Sequence, residues 1–204
     1  MNRRSSFLWL KGVNRLKVGI LAVQGAFIEH EHKMQALGAT CVEIRKKEDL
    51  NQHFDGLILP GGESTVQGKL LNDLDMFADL KKRIQQGIPT LATCAGLILL
   101  AEHISNDDKA YFQTLPVTVK RNAYGRQLGS FYTEEEVKGI GQVPMTFIRA
   151  PYVESAEDEV EVLAKVEEKI VAVRYGTQIG LSFHPELDEN NKIHEMFYQM
   201  MEAA

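Results

Sequence analysis

Apolar residues run almost unbroken from 17 to 23 (Lys-Val-Gly-Ile-Leu-Ala-Val), the pattern of a β-strand buried on both faces. Gln24-Gly25-Ala26 then turns the chain into a polar helix, predicted over about residues 28–37, which Gly38 is placed to stop. Further buried strands are predicted at 40–44, 56–59 and 88–91, and the second of these runs straight into Pro60-Gly61-Gly62-Glu63-Ser64. Residues 76–86 have helical spacing and close on Gly87, and 97–101 read as the start of a buried helix. Strands alternating with helices imply right-handed crossovers and a parallel sheet covered on both faces.

The second half has a different pattern. Short strand-like runs at 117–120, 143–148, 159–164, 170–175 and 178–183 are separated by turn residues. Hairpin tips are predicted at Glu167-Glu168-Lys169 and Tyr175-Gly176-Thr177. Residues 191–201 form a closing helix in which Ile193, Met196, Phe197 and Met200 recur at core spacing. The predicted fold is therefore three-layer α/β: a mostly parallel central sheet flanked by helices, with additional antiparallel strands. Without repeats or linker-like segments, residues 16–204 read as a single domain, and 1–15 as a disordered extension ahead of the first strand.

Composition narrows the class. The 204 residues are 44% hydrophobic and 25% charged, ordinary proportions for a soluble globular protein. A net charge of −5 without a basic stretch argues against a nucleic-acid partner, and no segment has the length of a membrane span. Phe7-Leu8-Trp9-Leu10, flanked by Arg3, Arg4 and Lys11, falls short of the roughly 7–15 apolar residues of a signal-peptide core. Cys41 and Cys94 provide neither a disulfide framework nor metal-ligand spacing. A working thiol survives best in a reducing compartment, so the expected location is cytoplasmic.

The candidate chemistry centres on Cys94. In Ala92-Thr93-Cys94-Ala95-Gly96-Leu97, small residues surround a cysteine between a predicted strand and a predicted helix. Such a turn points the sulfur out at the end of a sheet, and a helix N-terminus favours thiolate over thiol. Pro185 biases His184 away from helical geometry. In an extended segment Glu186 would project to the same side as His184, accepting from one imidazole nitrogen while the other faces Cys94. Gln24-Gly25, Gly61-Gly62-Glu63-Ser64 and Cys94 all fall at strand ends, where an open parallel sheet has its functional crevice. A Gly-Gly turn can present N–H groups to an oxyanion, together with the N–H of Ala95. The constellation points to cysteine-dependent acyl transfer.

Other polar residues read as structural. His30 and His32 are expected to face solvent on a polar helix and lack the further ligands a metal site needs. His53, His103 and His194 have no catalytic setting, Cys41 reads as a buried small hydrophobe, and the acidic run 134–136 reads as solvated surface. On these residues alone, a triad peptidase, a glutaminase of another pathway and a catalytically silent binding subunit stay open.

The motifs as an ordered set resemble the class I (triad) glutamine amidotransferases, and within them the glutaminase-subunit family of pyridoxal 5′-phosphate synthase. The resemblance is carried by Leu21-Ala22-Val23-Gln24-Gly25-Ala26, Pro60-Gly61-Gly62-Glu63-Ser64-Thr65 and Thr93-Cys94-Ala95-Gly96-Leu97-Ile98. It continues through Arg121-Asn122-Ala123-Tyr124-Gly125-Arg126-Gln127, Phe147-Ile148-Arg149-Ala150-Pro151 and Phe183-His184-Pro185-Glu186-Leu187, spanning roughly residues 16–200. It implies that Cys94 attacks the glutamine amide, with His184 as base then acid and Glu186 orienting His184. It implies Gly62 and Ala95 as oxyanion donors, and Gly62, Glu63, Ser64, Arg121, Ile148 and Arg149 as glutamine-binding positions. It also implies a (β/α)8-barrel synthase partner that receives the ammonia, with Gln24 a candidate for sensing that partner, and it implies no cofactor. Ala92 stands where the family often has glycine, and the first 15 or so residues extend beyond the usual start.

Overall fold

The computed structural model describes residues 15–122 and 129–204. Most of the expected N-terminal extension, and residues 123–127 of the Arg121–Gln127 motif, therefore lie outside the described residues.

The first half alternates as its apolar pattern demands. Strand β1 (Lys17–Leu21) leads to helix α1 (Phe27–Ala36), which ends at Gly38 with φ +91°. Strands β2 (Thr40–Ile44), β3 (Gly56–Leu59) and β4 (Thr90–Thr93) follow, with helices α2 (Ser64–Asp73) and α3 (Phe77–Gln85) between the last two. After β4 come helix α4 (Ala95–Leu100) and strands β5 (Ala101–Ile104) and β6 (Leu115–Lys120). Strands β7 (Ser130–Val137) and β8 (Gly141–Ile148) pair as a separate hairpin. Strands β9 (Tyr152–Ala156), β10 (Glu161–Val166), β11 (Lys169–Tyr175) and β12 (Gln178–Leu181) precede the closing helix α5 (Lys192–Glu202).

The main sheet has the order β2-β1-β3-β4-β12-β11-β9-β6-β5, with β10 on β11. The neighbours from β2 to β12 are all parallel, whereas β11 runs antiparallel to β12, β9 and β10. The central strands are buried on both faces, with successive side chains entering opposite layers. Leu57 and Leu59 of β3 pack with Leu71, Leu80, Ile84 and Leu97 of α2, α3 and α4. Ile58 packs on the other face, with Met34 of α1, Phe197 of α5 and Phe147 of β8. The result is the predicted three-layer arrangement.

Several elements escaped the sequence pattern: α2, β5, β7 and β9. Strand β7 carries the acidic run 134–136, which is surface as expected but in a regular strand with alternating exposure. Cys41 is half-buried rather than buried, its thiol facing Glu31 O at 3.8 Å, and burial followed by the charge of Glu31 pushes that thiol's pKa up to about 12.

Candidate active site

Because β1, β3, β4 and β12 are parallel, the segments that leave their carboxyl ends meet on one edge of the sheet. Those segments carry Gln24, Gly61-Gly62, Cys94 and His184.

Cys94 occupies a tight elbow, with φ +48° and ψ −100° between β4 and α4. This region is costly for a side chain with a Cβ and persists only where surrounding contacts hold it. Two contacts do so. The Cys94 N–H donates to Leu181 O of β12 at 2.8 Å. Gly96 lets α4 lie against β3, since a Cβ there would sit 2.0 Å from Leu59 O. Ala92, in register with Leu59 and Gly180, is fully buried and accommodated without displacing the elbow.

His184 arrives three residues after β12, and its N–H donates to Thr146 O of β8 at 2.8 Å. Its backbone is non-helical (φ −111°, ψ 82°), as Pro185 requires. The extended path expected beyond it is not observed. Pro185–Leu187 form a 3-10 turn with the proline at its start, where a missing N–H costs nothing. That turn, rather than an extended segment, brings Glu186 Oε1 to 2.7 Å from His184 Nδ1. Burial opposes a charge on His184, but the bonds and charges of Cys94 and Glu186 outweigh it and push its pKa up to about 10.

In front of this pair lies a cavity of about 210 Å³ lined by polar and apolar groups from several segments. Of the residues proposed from sequence, Gln24, Gly62, Glu63, Ser64, Cys94, Arg121, Ile148, Arg149 and His184 line it. Glu186 and Ala95 do not, being buried behind His184 and beneath the elbow. Ile98 and Asn122 also line the cavity and were not singled out. The volume is below the roughly 300–1,000 Å³ of drug-sized pockets and suits one small metabolite.

The glycine pair has a steric reason. A Cβ at Gly61 would lie 2.3 Å from His184 Cε1, so the loop packs directly on the imidazole. Gln24 Oε1 accepts from the Glu63 N–H at 2.8 Å, and Gln67 Nε2 donates to Gln24 O at 3.0 Å and Pro60 O at 3.2 Å. The Ala26 N–H donates to Gly61 O at 3.0 Å, tying the start of α1 to the same loop. Arg121 finds its anion in the protein: Nη1 donates to Asp107 Oδ2 at 2.6 Å. Arg149, itself at φ +44°, places Nη2 3.4 Å from Glu63 Oε1, in an exposed pair between two of the lining residues.

A further expectation is overturned. His30 does not face solvent; it is completely buried, because α1 packs on α5 and on the Pro185–Leu187 turn. Its Nδ1 lies 2.9 Å from His194 Nε2, and its Nε2 lies 3.2 Å from Thr93 Oγ1 and 3.4 Å from Glu186 Oε2. Nothing local marked it, since it sits between Glu29 and Glu31, and its partner His194 is 164 residues away. Among the described residues no cluster of His, Cys, Asp and Glu side chains is arranged to hold a metal ion. No described helix is long and apolar enough to cross a membrane.

A parallel-centred α/β sheet with a cysteine elbow beside a histidine–carboxylate pair at a small pocket defines the architecture of a class I glutamine amidotransferase. The comparisons agree. Residues 20–203 match the SNO glutamine amidotransferase family, and the chain belongs to that family. It is 65% identical over 182 residues to pyridoxal 5′-phosphate synthase subunit PdxT of Desulfitobacterium hafniense (strain DSM 10664 / DCB-2), covering 89% of this chain and 92% of the relative. It is 49% identical over 192 residues to the subunit of the same name from Haemophilus influenzae (strain PittEE), covering 93% and 100%. Among solved structures, one titled glutamine amidotransferase superposes with a TM-score of 0.86 at 41% identity, covering 91% of this chain and 98% of that one. A glutamine amidotransferase from Thermotoga maritima, at 16% identity and a TM-score of 0.60 over 94% and 86% of the two chains, shares the fold.

Proposed function

We propose that this chain hydrolyses L-glutamine to L-glutamate and ammonia and delivers the ammonia to the barrel subunit of a pyridoxal 5′-phosphate synthase. Membership in the SNO glutamine amidotransferase family and the PdxT relatives support the substrate and the partner. The observation that carries the chemistry is Cys94 on its strained elbow, with His184 held by Glu186 at 2.7 Å beside the same cavity.

The Cys94 sulfur adds to the carboxamide carbon as a thiolate paired with the His184 imidazolium. The negative oxygen that forms is met by the backbone N–H groups of Gly62 and Ala95. His184 gives its proton to the departing nitrogen, and ammonia leaves behind a thioester. Now neutral, His184 takes a proton from water, which attacks the thioester; collapse releases glutamate and restores the thiolate–imidazolium pair. Glu186 holds the imidazole ring and stabilises its charge throughout. Gly62, Glu63, Ser64, Arg121, Ile148 and Arg149 hold the amino acid, and residues 16–204 form the glutaminase domain.

Ammonia protonates readily in water, so direct transfer between the two sites is the logic of pairing with a synthase. Helices α1 and α2 begin at the pocket-lining loops, and their first turns expose Ile28 and Val66 to a docking partner. Gln24, bonded to the Glu63 N–H, is the group that would feel such docking. A cytoplasmic, reducing location keeps the thiol available.

The test is glutamate release from glutamine by the full chain, with and without its cognate synthase barrel, beside Cys94→Ala. Activity raised by the barrel and abolished in the variant is expected. Turnover that survives in Cys94→Ala would remove the nucleophile from the scheme, and silence of the wild-type complex would refute the glutaminase reading.

A further inference from the structure

Glu186 has two carboxylate oxygens, and the reaction scheme uses one. Oε1 accepts from His184 at 2.7 Å. Oε2 points the other way, into the protein, where it is buried without a hydrogen-bond partner and has His30 Nε2 3.4 Å away. A buried ionised oxygen without a donor is expensive, so what faces it matters.

The groups behind it form a sealed polar chain. His30 of α1 faces Thr93 at the end of β4, Glu186 in the 3-10 turn and His194 of α5, and both imidazoles are completely buried. Two tautomeric arrangements satisfy the 2.9 Å contact between His30 Nδ1 and His194 Nε2. If His30 carries its proton on Nδ1, its bare Nε2 lone pair faces the carboxylate, and His194 must bury an unpartnered Nδ1–H. If His194 donates from Nε2 instead, His30 carries its proton on Nε2, directed at Thr93 Oγ1, with Glu186 Oε2 3.4 Å from the same nitrogen. The partnerless His194 Nδ1 is then a buried lone pair rather than a buried N–H. The second arrangement turns a protonated ring nitrogen, rather than a lone pair, toward the carboxylate and leaves no N–H orphaned.

Two further contacts hold this assembly still. Lys33, one turn along α1 from His30, donates to Asp188 O and to Asn190 O, the latter at 3.2 Å. Thr146 Oγ1 donates to Asp188 Oδ1 at 3.1 Å. The turn bearing Glu186 is thus clamped between α1 and β8. Burial first, then the charges of His194, His184 and Lys33, keep His30 neutral, while burial first, then Lys33, keeps His194 neutral. A neutral donor adds no competing positive charge beside the His184 imidazolium.

We infer that His30, with its tautomer set by His194, is a positioning residue: it holds the inner oxygen of Glu186 so that the outer one stays aimed at His184. This inference rests on the glutaminase reading for its effect on turnover, but not for its effect on the Glu186–His184 bond.

The experiment compares wild type, His30→Phe and His30→Gln as full-length chains, assayed with the cognate synthase barrel. Glutamine at position 30 keeps an N–H donor near the place of imidazole Nε2; phenylalanine keeps only bulk. His30→Phe is expected to lower kcat by about 10- to 100-fold with little change in KM, the cost of a misaimed catalytic group. His30→Gln should recover most of that loss. The second readout needs no substrate: the proton resonance of His184 Nδ1–H, set far downfield by its bond to a carboxylate, should shift upfield or broaden in His30→Phe and persist in His30→Gln. An unchanged resonance in folded His30→Phe overturns the inference, whatever the activity does. So does a loss in His30→Gln equal to that in His30→Phe. If the wild-type complex fails to hydrolyse glutamine, the functional reading falls, and the resonance alone still decides whether His30 holds Glu186.

Discussion

Two histidine environments on either side of Glu186 behave in opposite ways. His184, on the pocket side, is driven toward the charged form, its pKa pushed up to about 10. His194, on the sealed side, is driven down to about 3, and His30 falls well below its ordinary value. All three are buried, and burial disfavours the charge on each. What separates them is partnership. His184 has a carboxylate oxygen at 2.7 Å and a cysteine, whereas His30 and His194 have mainly each other and a threonine hydroxyl. One carboxylate can sustain a charged imidazole on its short contact and leave a neutral one at 3.4 Å.

The most damaging way to break that contrast is Glu186→Gln. It removes the charge that favours the His184 imidazolium and offers the wrong hydrogen-bonding group to its Nδ1. Glutaminase kcat should fall by about 10³- to 10⁴-fold, in line with amide replacement of a triad carboxylate. Steady-state glutamate release measures it. Gly61→Ala comes next. Its Cβ would press on His184 Cε1, and displacing the imidazole by about an ångström should cost about 100-fold in kcat. Circular dichroism should remain that of the wild type, and an unaltered kcat would mean that the loop gives way instead.

The contrast also sets the acid response of stability. In the unfolded chain His194 binds a proton near pH 6.5, but in the folded chain only near pH 3, so this residue contributes stability above pH 6.5 that is lost as the pH falls between those values. His30 acts in the same direction. Within that window His194 contributes a slope of about 1.4 kcal/mol per pH unit. His194→Leu should flatten the pH dependence of the denaturant-derived unfolding free energy below pH 6 by about one such slope. The sign reverses at His184, whose contribution is present below pH 6.5 and is lost as pH rises toward 10. The smallest effect belongs to Cys41→Ser. Its half-buried thiol, held protonated, lies outside the pocket, so turnover should match wild type; a measurable loss would implicate it in the reaction.

How much of this was legible in the chain follows the same division. The parallel strands were readable because two-sided burial leaves unbroken apolar runs, and the pocket because glycine pairs, a lone cysteine and His-Pro-Glu are rare in combination. Helix α2 was missed because residues 64–73 contain Gly68 and mostly polar side chains, a stretch with weak apolar periodicity. Strand β7 was missed because its hairpin leaves one face to solvent, and three consecutive glutamates there look like a loop. His30 was misjudged for a deeper reason. A polar residue is buried when a distant element offers it a partner, and no local period records where α5 and the Pro185 turn will dock. The carboxylate's reach to His184 was anticipated, but through an extended segment; the proline starts a 3-10 turn instead.

The position of β12 has a consequence for how the chain is made. It is the last strand in order, yet it lies between β4 and β11 in the middle of the sheet. Until it emerges from the ribosome, β4 has an open edge, and unpaired strand edges invite association between nascent chains. The same insertion delivers Leu181 to the Cys94 elbow and carries His184 and Glu186 behind it. Completion of the sheet and delivery of His184 to the cysteine are one event, so a polypeptide released early carries Cys94 without the histidine beside it.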